Sequence, residues 1–124
     1  MNWAAMVAVA LAIWGWAFPG AIPVVDQSDN PAYANVTSLA WADPWTQAPD
    51  CIVSILPRNM TYLTVPQVQN VITHEVGHCI GLEHISQPGI MYPDAGEFSG
   101  YDRAAFWRVH PAPHRVTIAM VGTE

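Results

Sequence analysis

The chain has 124 residues and a formal net charge of -6, from ten acidic residues against four arginines and no lysine. This length holds one domain, and because every arginine lies at or beyond Arg58, no basic face is available to neutralise phosphates, which excludes nucleic acid as a partner. An apolar fraction of 52% with eleven prolines describes a compact, loop-rich protein and excludes a disordered one.

The chain opens on an apolar run from Trp3 to Phe18 that carries no charge. It is short for a bilayer span and suits the core of a signal peptide, with Gly15-Trp16-Ala17 as a small-x-small cleavage site. An uncleaved membrane anchor and a buried strand of the domain are the other two readings. The expected division is therefore a signal peptide or anchor over residues 1–17 and one folded domain over residues 18–124, with membrane contact only if the first part is uncleaved. Ala21 to Val25 is a strand candidate and Asp26 to Pro31 a turn-rich break. Ala32 to Trp41 fits two periods. Tyr33, Val36, Leu39 and Ala40 follow helical spacing, whereas Thr37, Leu39 and Trp41 alternate as in a strand. A helix capped near Asp29 is the reading taken. Asp43 to Asp50, with two prolines, is a loop, and Trp41 and Trp45 are expected as core plugs. Asn35-Val36-Thr37 and Asn59-Met60-Thr61 fit the glycosylation triplet, a pattern frequent by chance. Cys51 to Leu56 has β-branched residues, ends at Pro57 and reads as a strand.

Thr64-Val65-Pro66-Gln67 opens a helix: the threonine caps it, Gln67 completes a capping box, and the proline sits in the first turn where its missing N–H costs nothing. Val68, Val71, Ile72, Val76 and Ile80 supply its buried side. The helix carries HEVGHCIGLEH, from His74 to His84. At about 100° per residue, His74 and His78 project from one face one turn apart, so both imidazoles can reach one ion. Glu75 is angled to the same side, where it can hold a proton without ligating. A continuing helix would carry a third ligand away. Gly81 can take the left-handed conformation that ends a helix and returns His84 to the metal. Three imidazoles and a water make a tetrahedral zinc with one exchangeable position, the arrangement of a catalytic site.

HExxHxxGxxH followed by Gly89-Ile90-Met91-Tyr92-Pro93 resembles the metzincin zinc metallopeptidases, and MYP is most similar to their matrixin branch. The resemblance covers His74 to Pro93 closely and the flanking segments loosely. It implies an α+β fold: a small zincin domain with a reduced mixed sheet packed on the active-site helix, a Met-turn and a C-terminal helix. It also implies His74, His78 and His84 as zinc ligands, Glu75 as general base, Met91 as the floor beneath the metal, and Pro93 as part of the wall of the pocket for the residue after the cut bond. Two positions depart from the matrixin pattern, Ile85 for the serine after the third histidine and Ala95 for the tyrosine after the wall proline. In this family an edge strand binds the peptide substrate by backbone hydrogen bonds.

Cys51 and Cys79 form an even pair, which in a secreted protein closes as a disulfide worth about 3 to 4 kcal/mol; two separate buried thiols are the alternative. Beyond Pro93, Asp94 to Gly100 is expected to border the substrate pocket. Ser99 and Asp102 start a helix through Val109, with Asp102, Ala105 and Phe106 similar to the family's last helix and Phe106 and Trp107 as packing residues. His110 and His114 are separated by two prolines and are expected on the surface; Arg115 to Val121 alternates like a strand.

The function implied is a zinc-dependent endopeptidase, secreted or extracytoplasmic and monomeric, that hydrolyses a peptide or protein substrate with metal-activated water. Neither a serine elbow, a phosphate loop nor a calcium loop is present to compete. The alternatives are a catalytically silent zinc-binding interaction module of metzincin shape and a membrane-tethered metal carrier. Neither requires a carboxylate at Glu75.

Overall fold

Thr64 caps the central helix, α2 (Val65–Cys79), by accepting from the Gln67 N–H at 3.3 Å while the Gln67 side chain accepts from the Thr64 N–H at 2.8 Å. This reciprocal cap satisfies two N–H groups that would otherwise face the helix entrance unpaired. The computed structural model describes residues 1–16, 22–45 and 50–111. Around α2 are a first helix, α1 (Trp3–Trp14), three strands, β1 (Val24–Asp26), β2 (Ala40–Asp43) and β3 (Ile52–Ile55), and a last helix, α3 (Gly100–Val109). Ala21, Ala17 of the expected cleavage site, residues 46–49 of the Asp43–Asp50 loop, His114 and the strand expected over 115–121 fall outside the described residues.

The sheet has the order β1-β3-β2, with β1 parallel and β2 antiparallel to β3. The fold is thus α+β with a reduced mixed sheet. Val53 pairs with Val24 on one side and Ala42 on the other, and Val53 and Ile55 of the central strand are fully buried. A disulfide joins Cys51, just before β3, to Cys79 at the end of α2, with Cα atoms 5.5 Å apart. It ties the sheet to the last turn of the central helix.

The apolar N-terminal run is a helix, not the strand considered for it. Asn2 caps it by accepting from the Ala5 N–H at 3.0 Å, and Gly15 closes it with a φ of 73°. Five alanines between Trp3 and Trp14 favour this conformation. Trp14 is fully buried; its Nε1–H donates to the Thr73 carbonyl of α2 at 2.9 Å, and its ring packs on Phe98 and Phe106. Gln69 donates to the Met6 carbonyl at 2.9 Å, and Arg103 of α3 donates to the Ile13 and Trp14 carbonyls at 2.8 Å each. Met6, Val7, Ala10 and Trp14 of α1 belong to the same core cluster as the buried residues of β3, α2 and α3. None of the helices among the described residues is long and apolar enough to cross a membrane.

Three other expectations change. The helix expected after Asp29 is a single 3-10 turn at Pro31–Tyr33, capped by Asn30, and the chain then extends into β2. Arg58 and Asn59 hold this stretch open: Arg58 donates to the Tyr33 carbonyl, and the Asn59 amide donates to the carbonyls of Val36 and Ser38 at 3.0 and 2.9 Å. A helix would have consumed those carbonyls itself. The Asn59 side chain is thereby engaged in the fold. His110 is buried, not on the surface; its Nε2–H donates to the Ile80 carbonyl at 2.8 Å, and its ring packs between Trp16 and Phe106. On α3 Phe106 is buried as expected, whereas Trp107 is exposed, because adjacent helix positions point about 100° apart.

Candidate metal centre

His74, His78 and His84 converge, with their ligand atoms all within 4.8 Å of one another. The route by which the sequence achieves this is local. The Gly81 N–H donates to the His78 carbonyl at 3.0 Å and the Leu82 N–H to the Gly77 carbonyl at 2.9 Å, a Schellman end to α2 that needs the φ of 95° at Gly81. The turn exposes the Leu82 carbonyl to the His78 Nδ1 at 2.7 Å. His74 Nδ1 faces the Ile90 carbonyl at 2.5 Å. A carbonyl only accepts, so both Nδ1 atoms carry the proton and both Nε2 atoms present lone pairs. Those two Nε2 atoms lie 3.2 Å apart. Lone pairs facing at that distance repel unless a cation lies between them. A tetrahedral zinc with bonds of about 2.0 to 2.1 Å separates its ligands by about 3.3 Å. The donor set and its spacing fit zinc.

Burial prepares the same state. Desolvation lowers the pKa of His78 to about 4, against its hydrogen bond to Leu82 and helped by the other two histidines. His74 is lowered for the same first reason, with His84 contributing. Both imidazoles are therefore neutral and able to ligate at neutral pH. Glu75, 7% exposed, moves the other way: desolvation raises its carboxyl to about 7.

Met91 is fully buried against α2, where a Cβ built on Gly77 would lie 2.5 Å from its sulfur and 3.0 Å from the Trp14 ring. The glycine inside HEVGH thus lets Met91 and Trp14 close on the helix from two sides. Ile85, standing where matrixins have a serine, is buried and donates its N–H to the Met91 carbonyl at 3.0 Å.

Asp102 is the functional residue that sequence reasoning undervalued. Expected as a helix cap and as part of the family-like last helix, it is fully buried and accepts from the N–H groups of Ile90 at 2.8 Å, Met91 at 2.9 Å and Ser99 at 2.8 Å. It holds the turn whose Ile90 carbonyl orients His74. Gly89 makes room for it, since a Cβ there would meet its Oδ2 at 2.5 Å. A second change concerns Trp45. Expected in the core, it is 46% exposed and lies against His78.

Beside Glu75 and His74 a cavity of 490 Å³ opens between α2, Leu39 and Ala40 of the β2 side, Leu63 and the Pro93–Ala95 segment. Pro93 and Ala95 both line it. Among the described residues β2 is an edge of the three-stranded sheet, bonded to β3 on one side. The Matrixin peptidase family model matches residues 25–104. The chain belongs to the matrixin family. The match takes in the three histidines, Glu75, Met91, Pro93 and Asp102, and begins after α1. Comparison with curated proteins and with solved structures finds no match. Matrixins are zinc metallopeptidases, so the triad of this matrixin domain could hold the family's metal.

Proposed function

We propose that this matrixin is a zinc-dependent endopeptidase in which His74, His78 and His84 hold the ion and Glu75 is the general base. The observation that carries the reading is the junction of the histidine triad with a buried carboxyl and a cavity at a sheet edge. When bound, zinc supplies a Lewis acid that polarises the peptide carbonyl and makes the attacking water more acidic.

The remaining steps belong to the chain. A substrate strand added to the open edge of β2 gains backbone hydrogen bonds and passes the histidines. The side chain following the cut bond enters the cavity walled by Pro93, Leu39 and Val71. Glu75 lines that cavity too, which sets its carboxylate beside the carbonyl under attack. It takes the proton of the attacking water and returns it to the departing amine. In the metal-free protein burial raises this carboxyl to about 7, so its proton is exchangeable near neutral pH. The Cys51–Cys79 bridge supports a secreted or extracytoplasmic location, where thiols close.

The test is cleavage of a mixed-sequence quenched peptide pool by the wild type and by Glu75→Ala at equal zinc content. Cleavage that disappears in the variant is the expected outcome. No cleavage by either, with one zinc bound to each, would replace the peptidase with a silent zinc-binding module.

A further inference from the structure

The Trp45 indole lies flat on the His78 imidazole, with ring centroids 3.7 Å apart and planes 5° from parallel, and stands edge-on to His84 at 5.3 Å and 63°. Its 46% exposure shows that filling the core is not its main role. We propose that Trp45 is a positioning residue of the metal centre, a lid on two of the three histidines that raises metal affinity.

Two physical arguments lead there. The first is orientation. The hydrogen bond from His78 Nδ1 to Leu82 anchors one corner of the ring but tolerates tilting. A flat aromatic contact over the whole face resists that tilt, so the Nε2 lone pair stays aimed at the point shared with His74 and His84. The ring that needs this most is His84, the exposed member of the triad, which Trp45 touches from the side. The second is charge. An imidazole bound to a divalent cation takes on part of its positive charge, and the face of an indole is the most electron-rich surface among the side chains. The stack is therefore stronger with the metal bound than without it. A contact that is stronger in the bound state contributes to affinity. At the level expected for a half-exposed cation–π contact, this is about a 2- to 5-fold tightening.

The placement is set by β2. Asp43, the last residue of that strand, pairs with Ile52, and two residues later the chain has reached the histidines. The strand read above as the substrate edge thus runs directly into the metal lid.

The proposal rests on the reading of the three histidines as a metal site, and its test does not use peptidase activity. Zinc dissociation constants are measured by chelator competition for the wild type, Trp45→Phe and Trp45→Ala, together with the visible spectrum of each protein loaded with cobalt(II). Trp45→Ala is expected to bind zinc about 2- to 5-fold more weakly and to show altered cobalt bands, and Trp45→Phe to stay close to the wild type in both. Cobalt is further expected to quench the emission that the wild type has in excess of Trp45→Phe. If the alanine variant does not fold, that excess emission decides: its insensitivity to cobalt overturns the proposal. Equal zinc affinity and identical cobalt bands in a folded Trp45→Ala overturn it alone, whereas a wild type that takes up no metal overturns the metal site as well.

Discussion

Replacing Trp14 with alanine asks whether α1 is part of the domain or a passenger on it. The side chain is fully buried, donates to the Thr73 carbonyl, packs on Phe98 and Phe106, and closes on α2 at Gly77, one residue before His78. Truncating a buried tryptophan costs about 3 to 5 kcal/mol through lost transfer energy and the void left behind. Against a stability of about 5 to 15 kcal/mol for a small domain, that is a large fraction. With a urea slope of about 1 to 3 kcal/mol per molar, the midpoint should fall by more than 1 M at unchanged slope. The assay is urea unfolding of the zinc-loaded, disulfide-intact protein followed by far-ultraviolet circular dichroism. Trp107→Ala, at an exposed position of α3, is the control and should stay within about 0.5 kcal/mol. Deleting residues 1–14 should be at least as damaging as Trp14→Ala. A Trp14→Ala midpoint equal to that of the control, with a deletion that leaves it unchanged, would refute the assignment of α1 to the core. A mature N terminus at Phe18 would show that α1 is cleaved from the mature protein.

Glu75→Gln has a pH signature in the metal-free protein. The folded carboxyl, raised to about 7 from an ordinary 4.5, binds its proton more tightly than the unfolded one, so its contribution is full below 4.5 and is lost as pH rises to 7. At about 1.4 kcal/mol per pKa unit, the metal-free variant should be more stable than the metal-free wild type by up to about 3 kcal/mol at pH 8, and no more stable at pH 4. A difference that does not change between these pH values contradicts the burial argument. Asp102→Asn leaves a buried amide where three N–H groups converge on a carboxylate. It should cost about 2 to 4 kcal/mol in thermal unfolding and weaken zinc binding about 10-fold, because His74 loses its fixed acceptor. Unchanged zinc affinity in a folded Asp102→Asn would remove it from the site. Gly77→Ala gains up to about 1 kcal/mol in helix propensity but must displace Met91 and press on Trp14. The net expectation is a loss of about 1 to 2 kcal/mol, and a measured gain would show that Met91 yields freely.

What one segment settles with its own neighbours was legible in the residues. The Thr64–Gln67 cap, the helix it starts, the Gly81 turn and the return of His84 all depend on contacts within a few positions along the chain. For that reason the triad, Glu75, the start of α3 at Ser99 and the strand character of 52–55 could be read without coordinates. The Ala32–Trp41 stretch could not. Its two periods are balanced, and the choice between them is made by Arg58 and Asn59, more than twenty positions away, which take the carbonyls a helix would need.

The same limit governs the remaining surprises. An uncharged run of alanine, valine and tryptophan has one composition whether it leads a secreted chain or fills a core, and only the face that α2 offers to Trp14 makes α1 a packed helix. Asp102 reads as a cap because its cap partner is adjacent in sequence, while the N–H groups of Ile90 and Met91 reach it only through the fold. Residue type alone places Trp45 in the core and His110 on the surface, and both positions are reversed by where β2 and α3 end. The metal-binding motif and its helix are determined by the sequence alone because short-range hydrogen bonds and helical spacing suffice to build them. The lid, the clamp on the Met-turn and the packing of the first helix were decided by tertiary structure, because each is a contact between surfaces that no single segment contains.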